Sequence, residues 1–69
     1  MNGTQIEITP IEHQIIKLIA NEQTNKMIAE ELNYSQRSIE YHIHTICKKL
    51  EVQTRVGVVC KAFQLHILP

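Results

Sequence analysis

The stretch Ser35 to Leu50, SQRSIEYHIHTICKKL, limits what this chain can fold into more than any other part of it. Wound as a helix, it has two faces that need different surroundings. Ile39, Ile43, Ile46 and Leu50 recur at spacings of four, three and four, with Cys47 beside them. That is one apolar stripe of a 3.6-residue repeat. Arg37, Glu40, Tyr41, His44 and Lys48 fill much of the opposite side. Those groups can donate, accept, touch a methyl group and neutralise a phosphate. A helix divided in this way is held by other elements on one side and is free to read a duplex groove with the other. The stretch therefore reads as the recognition helix of a helix-turn-helix.

The rest of the chain supplies partners for the apolar stripe. Met1 to Ile8 is a short polar lead, expected to be flexible. Thr9-Pro10-Ile11-Glu12 follows. Thr9 suits a helix cap, Pro10 the first helical position, and Glu12 the return arm of a capping box. A first helix is expected over about 9–21, with Ile11, Ile15, Leu18 and Ile19 inward and Ile16 partly covered. Thr24 caps a second helix over 25–32, built on Ile28, Ala29 and Leu32, with Met27 as a filler. Asn33 tolerates the left-handed conformation that ends helices. Only Asn33 and Tyr34 separate Leu32 from the next cap, Ser35, so the two helices must cross at a large angle. Tyr34 and Ile39 have the spacing of a hydrophobic staple. A third helix spans 35–50. Val52 anchors the connector, and Thr54 caps a fourth helix over 54–65 carrying Val58, Val59, Ala62 and Phe63. Gly57 weakens its first turn by about 1 kcal/mol relative to Ala. The fold class is an all-α, four-helix helix-turn-helix domain over 9–69, its helix-turn-helix at about 24–50.

Several function classes fall away on composition. Sixty-nine residues make one domain, and 43% hydrophobic residues are enough for a real core. No apolar run approaches the roughly 20 residues of a membrane span, and MNGTQIEIT lacks the pattern of a secretory signal. A cytoplasmic protein without a membrane partner is expected, with Cys47 and Cys60 as reduced thiols. The formal net charge is zero, yet its distribution is uneven. Ser35 to Arg55 holds Arg37, Lys48, Lys49 and Arg55 against Glu40 and Glu51, while residues 1–23 hold Lys17 against Glu7, Glu12 and Glu22. The local field of the reading half matters more than the sum.

Ile8-Thr9-Pro10, Glu12, Leu18-Ile19-Ala20, Thr24-Asn25-Lys26, Ile28-Ala29, Leu32, Ser35, Ser38-Ile39, His42, Lys49-Leu50, Val52, Arg55 and Ala62 form an ordered set. In that order and spacing the chain resembles, over roughly residues 8 to 68, the DNA-binding domain of LuxR-type transcription regulators. These include NarL/FixJ-type response-regulator effector domains and GerE-like proteins. The resemblance implies sequence-specific double-stranded DNA binding in bacterial transcription regulation, with helix 4 as a dimer contact and RNA polymerase as a further partner. The chain departs from the family's usual residues in several places. Glu22 and His66 stand where Gly is usual, Glu often stands at Met27 and near Gly57 to complete capping boxes, and Glu40 stands where Lys is common. A non-Gly residue held in a left-handed turn at Glu22 costs roughly 1–2 kcal/mol.

The residue chemistry divides into two roles. Base edges in the major groove offer acceptors on guanine, a donor on cytosine, both on adenine and a methyl on thymine. Glu40 can accept from cytosine, Tyr41 can pack on a thymine methyl, His44 can donate, and Arg37 can go bidentate to guanine or to a phosphate. The resemblance points to the positions of Glu40, Tyr41 and His44 as base-facing. Phosphate contacts position the helix without reading sequence. Thr24, Asn25 and Lys26 open helix 2, where free N–H groups favour an anion. Ser35, Ser38, His42, Thr45, Lys48, Lys49, Thr54 and Arg55 complete the phosphate set. Arg55 has the alternative of pairing with Glu12, and Lys48 and Lys49 that of complementing the end of their helix. A monomer touching few phosphates binds weakly, so two half-sites read by a homodimer are expected. Val56, Cys60, Gln64 and Leu65, with Ile67 and Leu68, form the dimer candidate; covering helix 1 is their other possible use.

Two rival readings exist. A helical protein-binding module docking on a polymerase or sensor would share the core pattern and need no basic face. A metal site or enzyme lacks support: His42 and His44 lie about 200° apart on a helix, the cysteines have no CxxC spacing, and no nucleophile has an evident base. No catalytic residues, metal or cofactors are expected.

Overall fold

The computed structural model of the chain describes residues 6–69; the first five residues, most of the expected lead over 1–8, lie outside the described residues. Four helices follow: α1 (Pro10–Ala20), α2 (Asn25–Leu32), α3 (Gln36–Leu50) and α4 (Arg55–Gln64). The described residues contain no strand, and the architecture is the expected all-α, four-helix helix-turn-helix. Helix ends agree with the sequence reading to within a residue or so, because local chemistry sets each start. At α1 the capping box closes in both directions. Thr9 Oγ1 accepts from the Glu12 N–H at 3.2 Å, and Glu12 Oε1 accepts from the Thr9 N–H at 2.9 Å. Thr24, Ser35 and Thr54 cap the other three helices, their hydroxyl oxygens accepting from Met27, Ser38 and Gly57 at 3.2, 3.1 and 3.0 Å. Each cap satisfies a backbone donor that a helix start otherwise leaves open.

All four helices end in one way. Glu22, Asn33, Glu51 and His66 adopt φ of 63°, 63°, 57° and 60°. The residue after each sends its N–H back five positions: Gln23 to Leu18, Tyr34 to Ala29, Val52 to Cys47 and Ile67 to Ala62, at 2.8–3.1 Å. This is the Schellman arrangement, and glycine is its usual left-handed residue. None of the four here is glycine. The strain expected at Glu22 is present, and Glu51 and His66 carry it as well. Asn33 bears least, because its side chain suits that conformation.

The core is formed by Ile15, Ile16, Leu18 and Ile19 of α1, Ile28 and Ala29 of α2, Ile39, Ile46 and Leu50 of α3, and Val58 and Ala62 of α4, closed by Leu68. α3 packs against each of the other three helices, which its long apolar stripe requires. Ile43, Cys47 and Val52 pack at the edge of this core.

Several side chains sit differently from the sequence reading. Ile16 is fully buried and Ile11 only half-buried, so the inward face of α1 is rotated toward Ile16. Met27 is 48% exposed and fills nothing. Phe63 is 50% exposed, because Val58 and Ala62, one turn apart, already define the inward side of α4. Leu68 is buried and therefore cannot belong to an exposed patch. The tail turns back at His66, and His13 donates Nε2–H to the Ile67 carbonyl at 3.0 Å. That bond fastens the C-terminal segment to α1.

Candidate nucleic-acid interface

α3 presents Arg37, Glu40, Tyr41, His44 and Lys48 to solvent; all five are exposed, Tyr41 by 68%. At 100° per residue they fall within an arc of about 100°, and Ile39, Ile46 and Leu50 lie on the far side. The expected base-facing set is therefore on one open surface of one rigid element. Fifteen residues give α3 a length of about 22 Å. Ser38, His42, Thr45 and Lys49 lie along one flank of this arc and are half-buried.

The helix starts converge beside it. An open groove of about 800 Å³ is lined by Thr24, Asn25 and Lys26 of the α2 start, Gln36 and Glu40 of α3, and Arg55 and Val56 of the α4 start, among others. Thr24, Ser35 and Thr54 use their oxygens to accept cap bonds, which leaves each O–H free to donate outward. Gln36 was not in the expected set. It lines the groove with Glu40, four residues on, and that spacing alone could have found it.

Two of the expected phosphate cations have internal partners. Lys49 Nζ donates to Glu12 Oε1 and Oε2 at 2.8 and 2.9 Å and to the Glu7 carbonyl at 2.9 Å. Its three hydrogens are thus all matched inside the molecule. Arg55 does not pair with Glu12, the alternative considered for it. It donates to Asn25 Oδ1 at 2.5 Å and to the Gln23 carbonyl at 2.7 Å, tying α4 to the start of α2. Glu12 is 4% exposed, the one buried charged residue among those described. Burial alone would raise its carboxyl, but the Lys49 ammonium and the Thr9 N–H outweigh that and hold it below the ordinary 4.5. Among the described residues Lys49–Glu12 is the only salt bridge, so Lys26, Arg37 and Lys48 have no ion-pair partner there.

The two cysteines are free thiols, Cys47 half-buried and Cys60 exposed. Burial pushes the Cys47 thiol up, against the pull of Arg55. Among the described residues no three His, Cys, Asp or Glu side chains gather to hold a metal, and no helix is long and apolar enough to cross a membrane.

Comparison with known proteins is consistent with this arrangement. The family described as "Bacterial regulatory proteins, luxR family" matches residues 7–62. The nitrate/nitrite response regulator protein NarL of Escherichia coli K12 is 38% identical over 61 residues, 88% of this chain and 28% of that protein. The uncharacterized response regulatory protein YgeK of the same strain is 34% identical over 61 residues, 88% of this chain and 42% of that protein. The response regulator protein VraR of Staphylococcus aureus NCTC 8325 is 34% identical over 61 residues, 88% of this chain and 29% of that protein. The chain thus spans less than half the length of each of these relatives.

Proposed function

The chain belongs to the luxR family of bacterial regulatory proteins, and on that premise we propose that it binds double-stranded DNA sequence-specifically to regulate transcription, with α3 in the major groove. The observation that carries the reading is the exposed arc of Arg37, Glu40, Tyr41 and His44 on a helix whose opposite side is locked into the core. Glu40 accepts from a cytosine or adenine amino group, Tyr41 packs on a thymine methyl, and Arg37 and His44 donate to guanine or to a flanking phosphate. Lys26 and Lys48 neutralise phosphates. The capping hydroxyls of Thr24, Ser35 and Thr54 and the side chains of Asn25, Ser38, His42 and Thr45 position the helix. Lys49 and Arg55 act from behind, holding α3 and α2 in register, and are left out of the phosphate set.

A second copy docks on α4. Val56 is 71% exposed, Phe63 50%, and Cys60 lies between them at helical spacing with Gln64 beside it. That outward apolar stripe is separate from the inward Val58 and Ala62. Phe63 takes the role first given to Leu65, which follows the last residue of α4. Pairing through this stripe presents two copies of α3 to half-sites about one helical turn apart.

Selection of bound duplexes from a random pool tests the function. The expected result is a two-fold related pair of short motifs, altered at one position by Glu40→Ala and at another by Tyr41→Ala. Absence of any salt-sensitive duplex binding would instead favour a module that docks only on protein, the reading to which a net charge of zero lends support.

A further inference from the structure

Three aromatic rings form a row that runs from the α2–α3 turn to the reading face. Tyr34 and His42 meet edge to face, with centroids 5.9 Å apart and planes at 64°. His42 meets Tyr41 in the same way, at 5.9 Å and 67°. At the near end of the row the Tyr34 main chain is fixed: its N–H donates to the Ala29 carbonyl at 2.8 Å, beside the left-handed Asn33. The middle ring, His42, is half-buried. The far ring, Tyr41, is 68% exposed and has no further ring to rest against among the described residues.

We propose that Tyr34, which lies outside the recognition helix, is a positioning residue for base readout: through His42 it fixes the orientation of the Tyr41 ring and so sets the base preference at the position Tyr41 reads. The inference rests on the DNA-binding reading above. A side chain as exposed as Tyr41 samples several rotamers unless a neighbour selects one. Edge-to-face contact is directional, because the positive ring edge seeks the negative ring face. Two such contacts in series transmit the fixed position of the turn to the reading side chain. The tyrosine is then pre-oriented before it meets DNA, and less ordering remains for the binding step. The turn thus has a part in specificity as well as in setting the angle between α2 and α3.

Selection from a random duplex pool, run in parallel on the parent and on Tyr41→Ala, Tyr34→Ala, Tyr34→Phe and His42→Ala, tests this. Tyr41→Ala identifies the base pair that Tyr41 reads. Tyr34→Ala and His42→Ala are expected to flatten the preference at that same base pair by roughly threefold to tenfold, the worth of one edge-to-face contact. The other positions keep their preferences, and Tyr34→Phe, which retains the ring, behaves as the parent. Circular dichroism checks that each variant is folded; Tyr34 is 42% exposed and its ring is not part of the core. A parent that selects no duplex overturns the DNA-binding reading and this inference with it. A parent that selects a motif, with Tyr34→Ala and Tyr34→Phe losing affinity for all sequences alike, overturns the inference only and makes the Tyr34 hydroxyl a phosphate contact. An unchanged motif in Tyr34→Ala, or in Tyr41→Ala, overturns it as well.

Discussion

Replacing Lys49 by Met should unfold the protein more readily while leaving its DNA affinity per folded molecule nearly intact. Lys49 and Glu12 meet at 2.8 Å, with the carboxylate side chain 5% exposed and the lysine side chain 32% exposed. Met keeps the length of the stem and removes the charge. The Glu12 carboxylate is then left buried with its main counter-charge gone. Orphaning one member of a fully buried pair costs about 3–5 kcal/mol. Water reaches this pair from the lysine side, and exposed pairs are worth at most about 1 kcal/mol, so about 2 kcal/mol is the expected loss. For a domain of this size, with about 3–10 kcal/mol of stability in all, that is a large share. It corresponds to a fall in melting temperature of roughly 8–16 °C. Thermal and urea denaturation followed by circular dichroism measure it. The control is Glu12→Gln, since glutamine preserves the capping box with Thr9 while removing the charge. In that background Lys49→Met should cost much less, giving a coupling of about 1–2 kcal/mol between the two sites. A Lys49→Met protein that melts within about 2 °C of the parent, yet binds every duplex more weakly, would refute the reasoning and return Lys49 to the phosphate backbone.

Four further outcomes follow from the same structure. Glu12 has its folded-state carboxyl held below 4.5, so its contribution to stability is complete above that value and is lost as pH falls through the folded-state value. The parent should therefore lose melting temperature below about pH 4.5 more steeply than Glu12→Gln does. Glu22→Gly, Glu51→Gly and His66→Gly should each stabilise the fold by about 0.5–1 kcal/mol, the left-handed strain relieved less the extra freedom of glycine in the unfolded chain, whereas Asn33→Gly should change little; urea midpoints decide. Gly57→Ala should lower stability despite the better helix propensity of Ala, because its added Cβ would lie 2.9 Å from the Val52 Cβ. With only Lys26, Arg37 and Lys48 left to meet phosphates, a plot of log affinity against log salt should have a slope of about −2.7 per bound chain, compared with about −4.5 if Lys49 and Arg55 also contributed, as titration of a fluorescent duplex would report.

The fold was legible in the sequence because its signals are local. Thr9, Thr24, Ser35 and Thr54 each cap the helix they were expected to cap. The stripe of Ile39, Ile46 and Leu50 is buried as its spacing requires. The exposed arc of α3 was legible for the same reason: once one face of a helix is assigned to the core, the opposite face is assigned to solvent. What the sequence hid is which distant partner each polar group chooses. Lys49 and Arg55 look alike as basic residues near a reading helix, and nothing local says that one meets Glu12, thirty-seven residues away, and the other the α1–α2 turn. Phe63 misled because α4 is apolar on two sides, and periodicity alone cannot say which side faces in. The left-handed Glu51 carried no signal beyond the end of its helix, since side-chain type there works against the conformation the backbone adopts.

The placement of charge also bears on how a chain of zero net charge can serve a DNA-binding role. Five of its seven basic residues fall into two groups that the fold separates. Lys49 and Arg55 face inward and determine where α3 and the α2 start sit relative to the rest of the molecule. Lys26, Arg37 and Lys48 face outward without ion-pair partners among the described residues. Part of the acidic complement lies elsewhere or is neutralised: Glu12 is paired and buried, and Glu7 lies before α1. Glu22 and Glu40 both line the groove, and Glu40 lies within the exposed arc of α3 itself. Near a polyanion such a residue weakens binding to every sequence unless it finds a base amino group to accept from, so it acts chiefly by rejecting wrong sites. On the proposed reading, few outward cations would make the non-specific attraction weak, and an acid in the groove would make mismatches costly. The combination trades affinity for discrimination, and it explains why the proposed second copy on α4 would be needed: two weak, selective readers joined at one interface regain in avidity what each lacks alone.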